Sequence, residues 1–277
     1  MPRGVSITIL SENTVRNKGL IAEHGISYWI ESGKHKILFD TGQGFAFPHN
    51  AHALKVNLSQ ANAIVLSHGH YDHVGGLEFA VKQTRAPIFL HPAALQQKFL
   101  QYKNGQIKKV SIPFLDRGGK KHLGKRLRLI TTSTEIIPGI FATGEIPRIT
   151  KFEDTGGAFY LDKKAHTPDP LLDDQALFFD TPKGIVVLLG CAHAGVINTL
   201  LYIRKLTKDR PIHAVIGGMH LANASPQRIA KTIQTFKQLK IQKLIPAHCT
   251  GIYVIPLLQK TFPKTYSPCS AGMSFSF

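Results

Sequence analysis

The sequence predicts an α/β fold of two packed sheets covered by helices on their outer faces. Three observations predict it: short apolar runs bounded by turn residues recur along the 277 residues, each half is strand-rich before it turns helical, and no run is long enough to stand alone as a membrane span. Continuous apolar runs suit strands buried on both faces, and such sheets need covering layers.

The first half predicts strands over 5–10, 26–30 and 36–39, the last two joined by the turn Ser32-Gly33-Lys34. A strand over 63–66, a helix over 74–82 and a strand over 87–90 follow. Residues 101–125 are polar and glycine-rich, read as an insertion over the site or a connector. The second half predicts strands near 127–131, 140–143, 175–180 and 185–189. Apolar residues at helical spacing place a helix over 196–205, followed by a strand over 212–216. Ser225-Pro226 opens another helix, with serine as N-cap and proline in the first turn. Residues 243–246 make the last core strand and 272–277 a closing one. We expect one domain over 1–277, with pseudo-repeat halves of about 1–100 and 126–277.

The 43% apolar content is that of an ordinary globular chain. Lys and Arg number 34 against 17 Asp and Glu, a formal charge of +17. Such a balance favours acidic partners: phosphorylated metabolites, nucleic acid or an anionic surface. The basic residues are spread out, without an aromatic ladder between them, so nucleic acid is not indicated. Three cysteines, Cys191, Cys249 and Cys269, are too few and too odd for a disulfide framework. The N-terminus has no long apolar stretch before a cleavage site, so we expect a cytoplasmic protein with no membrane partner.

The run His68-Gly69-His70-Tyr71-Asp72-His73 leaves the apolar stretch Ala63-Ile64-Val65-Leu66-Ser67. A strand end is rigid, and the turn after it can aim several donors at one point. Imidazole with carboxylate suits zinc, iron or manganese. His68 and His70 alternate and point the same way; Asp72 and His73 follow on the turn and can serve a second ion. The remaining ligands must come from elsewhere. His193, after 185–189 and Gly190-Cys191-Ala192, and His248, after 243–246, also leave apolar strands. His220 follows another and is a ligand, a substrate contact or an ordinary structural histidine. His91 reads as a supporting residue.

The His-x-His-x-Asp-His run resembles the signature of the metallo-β-lactamase superfamily, and Phe39-Asp40-Thr41-Gly42 is similar to its early strand-to-turn motif. Glu23-His24-Gly25, Thr143-Gly144-Glu145-Ile146-Pro147-Arg148, Gly190-Cys191-Ala192-His193, Gly217-Gly218-Met219-His220 and Pro246-Ala247-His248-Cys249-Thr250-Gly251 resemble the branch labelled 7,8-dihydropterin-6-methyl-4-(β-D-ribofuranosyl)aminobenzene-5′-phosphate synthase-like. The resemblance implies an αββα sandwich with a dinuclear site at one edge of the sheets. It implies a first ion on His68, His70 and His193, a second on Asp72, His73 and His248, and Asp40 as a support behind the ligands. Many dinuclear members present a bridging aspartate where this chain has Cys191, which leaves Cys191 open as a ligand.

The implied cofactors are two divalent ions, zinc first, with iron or manganese as alternatives. Such a centre supplies a metal-bound hydroxide, oriented by Asp72, or stabilises a departing oxygen. Glu145 and Arg148 form a charged turn that either faces substrate, in which case they join Asp72 and His220 as catalytic candidates, or makes a local surface ion pair; His24 is a donor or anchor near the site or a capping histidine before Gly25. The expected function is a metal-dependent hydrolase or dihydropterin-transferring synthase acting on a small anionic, phosphorylated metabolite. A nucleic-acid-processing member of the fold, or a non-catalytic metal sensor or redox module, are the alternatives.

Overall fold

The computed structural model describes residues 2 and 4–277. Two main sheets stack face to face. The first runs, in spatial order, Ser274–Ser276, Val5–Ser11, Ser27–Ser32, His35–Phe39, Ala63–Val65, Ile88–Leu90 and Leu127–Leu129. It is antiparallel at the start and parallel from His35–Phe39 onward. The second runs Lys243–Ala247, Ile212–Gly218, Gly184–Leu189, Leu177–Thr181, Ile140–Ala142 and Thr134–Ile137, its first three strands parallel.

The period-two alternation of each strand sorts its residues into layers. Ile37, Phe39 and Val65 meet Phe179, Val186, Leu188 and Ile216 between the sheets. Leu38, Ile64 and Ile88 face the other way, under the helices Ala46–Ala53 and Leu77–Gln83. Ile185, Val187 and Leu189 face the helices Val196–Leu206, Pro226–Gln238 and Val254–Thr261. Each such side chain, fully buried, contributes about 1.5–3 kcal/mol. The result is the αββα sandwich. Among the described residues no helix is long and apolar enough to cross a membrane.

The Ser225 cap is present: its side chain accepts the Arg228 N–H, with proline in the first turn. The helix expected over 74–82 is instead two, Tyr71–Val74 and Leu77–Gln83. The break falls at Gly75-Gly76, where the backbone presses on neighbouring chain: a side chain on either would meet the carbonyl oxygen of Gln43 or Thr41. Residues 99–109 form a hairpin, Phe99–Gln101 with Ile107–Lys109, which pairs with Ala158–Tyr160 in a small third sheet beside the metal-ligand candidates.

Candidate metal centre

The C-terminal ends of parallel strands converge on one edge of the sandwich, the usual place for ligands in parallel α/β sheets. Asp40 leaves His35–Phe39, and His68 and His70 leave Ala63–Val65. Cys191 and His193 leave Gly184–Leu189, His220 leaves Ile212–Gly218, and His248 leaves Lys243–Ala247. Four non-glycine residues at these ends, Asp40, Ala192, His220 and His248, sit at φ of 57°, 56°, 47° and 48°. Left-handed backbone of this kind costs about 1–3 kcal/mol per residue and persists where surroundings enforce it.

His68, His70 and His193 bring ligand atoms within 4.8 Å of one another. Among the described residues the Nε2 atom of each is buried without a hydrogen-bond partner, a costly arrangement unless something fills the space between them. In His68 and His193 the other nitrogen is occupied from behind. His193 Nδ1 donates to the Thr155 carbonyl at 2.8 Å. Ser67 Oγ donates to Asp40 Oδ2 at 2.7 Å and so receives the His68 Nδ1 proton at 2.8 Å. Both tautomers therefore leave a lone pair on Nε2. Burial pushes His68 and His193 well below the ordinary imidazole range and His70 to about 3. Three neutral imidazoles facing one another are a donor set for a divalent cation.

Beside them, His73 Nε2 lies 3.2 Å from His248 Nε2 and 3.8 Å from Asp72 Oδ2, and His248 Nε2 lies 3.3 Å from the same oxygen. His73 Nδ1 is 2.7 Å from Asp40 Oδ2, both side chains fully buried. Burial opposes charge on His73, but the Asp72 and Asp40 carboxylates raise it to about 9. Burial also opposes charge on Asp72, and His73, His24 and His248 together hold its carboxyl well below the usual range. His24 Nε2 stands 3.4 Å from Asp72 Oδ2, on the exposed side. Asn13 Oδ1 faces His248 Nδ1 at 2.9 Å, and Glu12 Oε1 accepts the His248 backbone N–H at 2.8 Å.

Several residues that position this cluster carried no sequence signal. Lys98, fully buried, bonds Asp169 at 2.7 Å and Asp173 at 2.9 Å, and Asp173 accepts the Gly69 N–H at 2.8 Å. That triad fixes the loop between His68 and His70. Arg228, 1% exposed, bonds Asp154 at 2.6 Å, beside the Thr155 and Gly156 carbonyls that face His193 and His220. Gly156 is required where it stands: φ is +80°, and a side chain there would enter the His220 ring.

The cluster floors a cavity of about 1070 Å³ walled by Tyr71, Leu100, Tyr102, Phe159 and Ile252. Phe159 stacks on His70, with ring centres 4.7 Å apart, and meets His193 edge-on. Lys103 lines the mouth, and Lys108 Nζ lies 4.6 Å over the Tyr71 ring. His220 and Cys191 line the cavity, as does Cys249, whose sulfur accepts the His220 N–H at 3.3 Å. Glu145 and Arg148 do not. Arg148 spends its guanidinium on the Pro170 and Leu171 carbonyls, and Glu145 is exposed, 3.8 Å from His91. The charged turn expected to face substrate is thus a tie between loops. His91 itself caps the turn Pro92–Leu95, accepting the Ala93 N–H.

Residues 22–248 match the family model of the metallo-beta-lactamase superfamily. A relative from Methanocaldococcus jannaschii, 7,8-dihydropterin-6-methyl-4-(beta-D-ribofuranosyl)-aminobenzene-5'-phosphate synthase, is 31% identical, covering 98% of this chain and 95% of its own. The crystal structure of Tm1679, a metal-dependent hydrolase of the beta-lactamase superfamily, is similar with TM-score 0.83 and 30% identity over 98% of both chains. Zn(2+)-bound PqqB from Methylobacterium extorquens has the same fold at 11% identity, with TM-score 0.58 over 98% of this chain and 100% of that one.

Proposed function

Because the chain belongs to the metallo-beta-lactamase superfamily, we propose that it is a metal-dependent enzyme acting on a small, phosphorylated, ring-bearing metabolite. The observation that carries this reading is the trio of buried, partnerless Nε2 atoms on His68, His70 and His193. These three would hold one divalent ion, and Asp72, His73 and His248 a second, with zinc as the first candidate. When bound, such ions polarise an attacked group and stabilise negative charge on a departing oxygen.

The chain's own groups supply the rest. Asp72 is kept ionised by three imidazoles, so it can orient a polar group of the substrate without a proton of its own. Asp40 holds His73 by one nitrogen and frees the other. Tyr71, Tyr102 and Phe159 offer flat apolar walls for a planar ring, and Lys103 and Lys108 offer charge for a phosphate at the mouth. The similarity to the dihydropterin-named synthase supports a dihydropterin-methyl diphosphate as that substrate, with an aromatic amine as acceptor.

Incubation of metal-loaded protein with a dihydropterin-methyl diphosphate, with and without an aminobenzene ribofuranosyl phosphate, tests this. A product joined through a new carbon–nitrogen bond supports transfer; release of diphosphate alone supports hydrolysis. No turnover of this compound or of a panel of phosphate esters would reject the reading.

A further inference from the structure

Cys191 is 3% exposed, at the end of the Gly184–Leu189 strand. Its Sγ lies within 4.8 Å of ligating nitrogens on His68 and His193 and, on the other side, on His73 and His248. The contact to His73 Nε2 is 3.0 Å. We propose that Cys191 is a thiolate ligand shared between the two ions, so that the two donor sets form one sulfur-bridged centre. This rests on the two-ion reading above and goes beyond it in assigning the bridge.

The chemistry of the neighbours points the same way. Asp40 holds His73 by Nδ1, so Nε2 is the nitrogen that faces the Cys191 sulfur and the one open to an ion. An ion on Nε2 would displace the proton that the 3.0 Å contact shares and leave a buried S–H facing cations. A thiol in that position loses its proton and ligates. The donor atoms of both sets reach the same sulfur, so neither ion has a prior claim on it. A sulfur bridge selects zinc, cobalt or iron(II) over magnesium and manganese, which prefer oxygen. Cys249 is the control: its sulfur lies against His248 and Cys191 and accepts the His220 N–H at 3.3 Å.

The test is anaerobic titration of chelator-treated protein with cobalt(II), followed by near-ultraviolet absorption and metal analysis. A sulfur-to-cobalt charge-transfer band should grow through both equivalents, vanish in Cys191→Ser and persist in Cys249→Ser. Cys191→Asp, which keeps a bridging anion, should still bind two equivalents without the band, separating loss of sulfur from loss of fold. A band that is absent in the native chain, survives Cys191→Ser, or saturates at one equivalent with two bound overturns the bridge while leaving the metal reading intact. Failure to bind cobalt or zinc at all overturns the metal reading and the bridge with it.

Discussion

The Asp40 carboxylate holds His73 by its Nδ1 at 2.7 Å, and neither side chain is exposed at all. One Asp40 oxygen also takes the Ser67 hydroxyl proton, and the other accepts the Ser67 N–H at 2.7 Å. A single carboxylate thus sets the orientation of His73 directly and of His68 through Ser67. Asp40→Asn replaces an acceptor with a donor at one of these points. We expect the affinity for an ion held by the proposed Asp72, His73 and His248 set to fall about 10–100-fold, read by competition with a chromophoric chelator. Unchanged affinity would show that Asp40 merely fills space.

The buried imidazoles predict a pH optimum for the stability of the metal-free chain. His68, His70 and His193 titrate below the ordinary 6.5 in the fold, His70 at about 3. Their stabilisation is present above 6.5 and is lost as pH falls toward the folded values. His73 is raised to about 9, so its contribution is full below 6.5 and is lost as pH rises through 9. Thermal melts of chelator-treated protein should therefore peak near 6.5 and decline on both sides. A steady rise or fall across that range would contradict the assignment.

Removing Lys98 strands Asp169 and Asp173 in the interior. Lys98→Met should destabilise by about 3–5 kcal/mol and lower metal content, because Asp173 also anchors Gly69. The triple change Lys98→Met, Asp169→Asn, Asp173→Asn should recover part of the stability. Urea titration and metal analysis on the same samples check both halves.

Phe159 and Arg148 make a contrasting pair. Phe159→Ala removes the wall stacked on His70 and should raise KM for a ring-bearing substrate about 2–10-fold with little change in kcat. Arg148→Ala releases two loop carbonyls away from the cavity and should leave kcat/KM within about threefold. A large loss in the second variant would return Arg148 to the reaction.

The candidate site was legible wherever a histidine followed an apolar run, because a strand end positions a side chain by local sequence alone. That is why His68, His70, His193 and His248 were nameable, and why the structure brings them together. Lys98 and Arg228 were not nameable, since each is defined by partners 71 to 75 residues away. Phe159 was hidden for a similar reason: its strand is set by pairing with the distant Phe99–Gln101. Glu145 and Arg148 show the opposite case. A charged turn near a motif looks reactive in one dimension, but where its charges point depends on which loop lies beside it. The helix break at Gly75-Gly76 was likewise written in glycines whose meaning lay in Thr41 and Gln43.

The two sheets contribute to the cluster unequally and from opposite sides: His68, His70, Asp72 and His73 come with the first, Cys191, His193 and His248 with the second, and Glu12 reaches the His248 amide across 236 residues of chain. Any ion held here therefore rivets a seam. Its departure would be felt least inside either sheet and most where they meet, so amide exchange along that edge becomes a gauge of metal occupancy that requires no substrate.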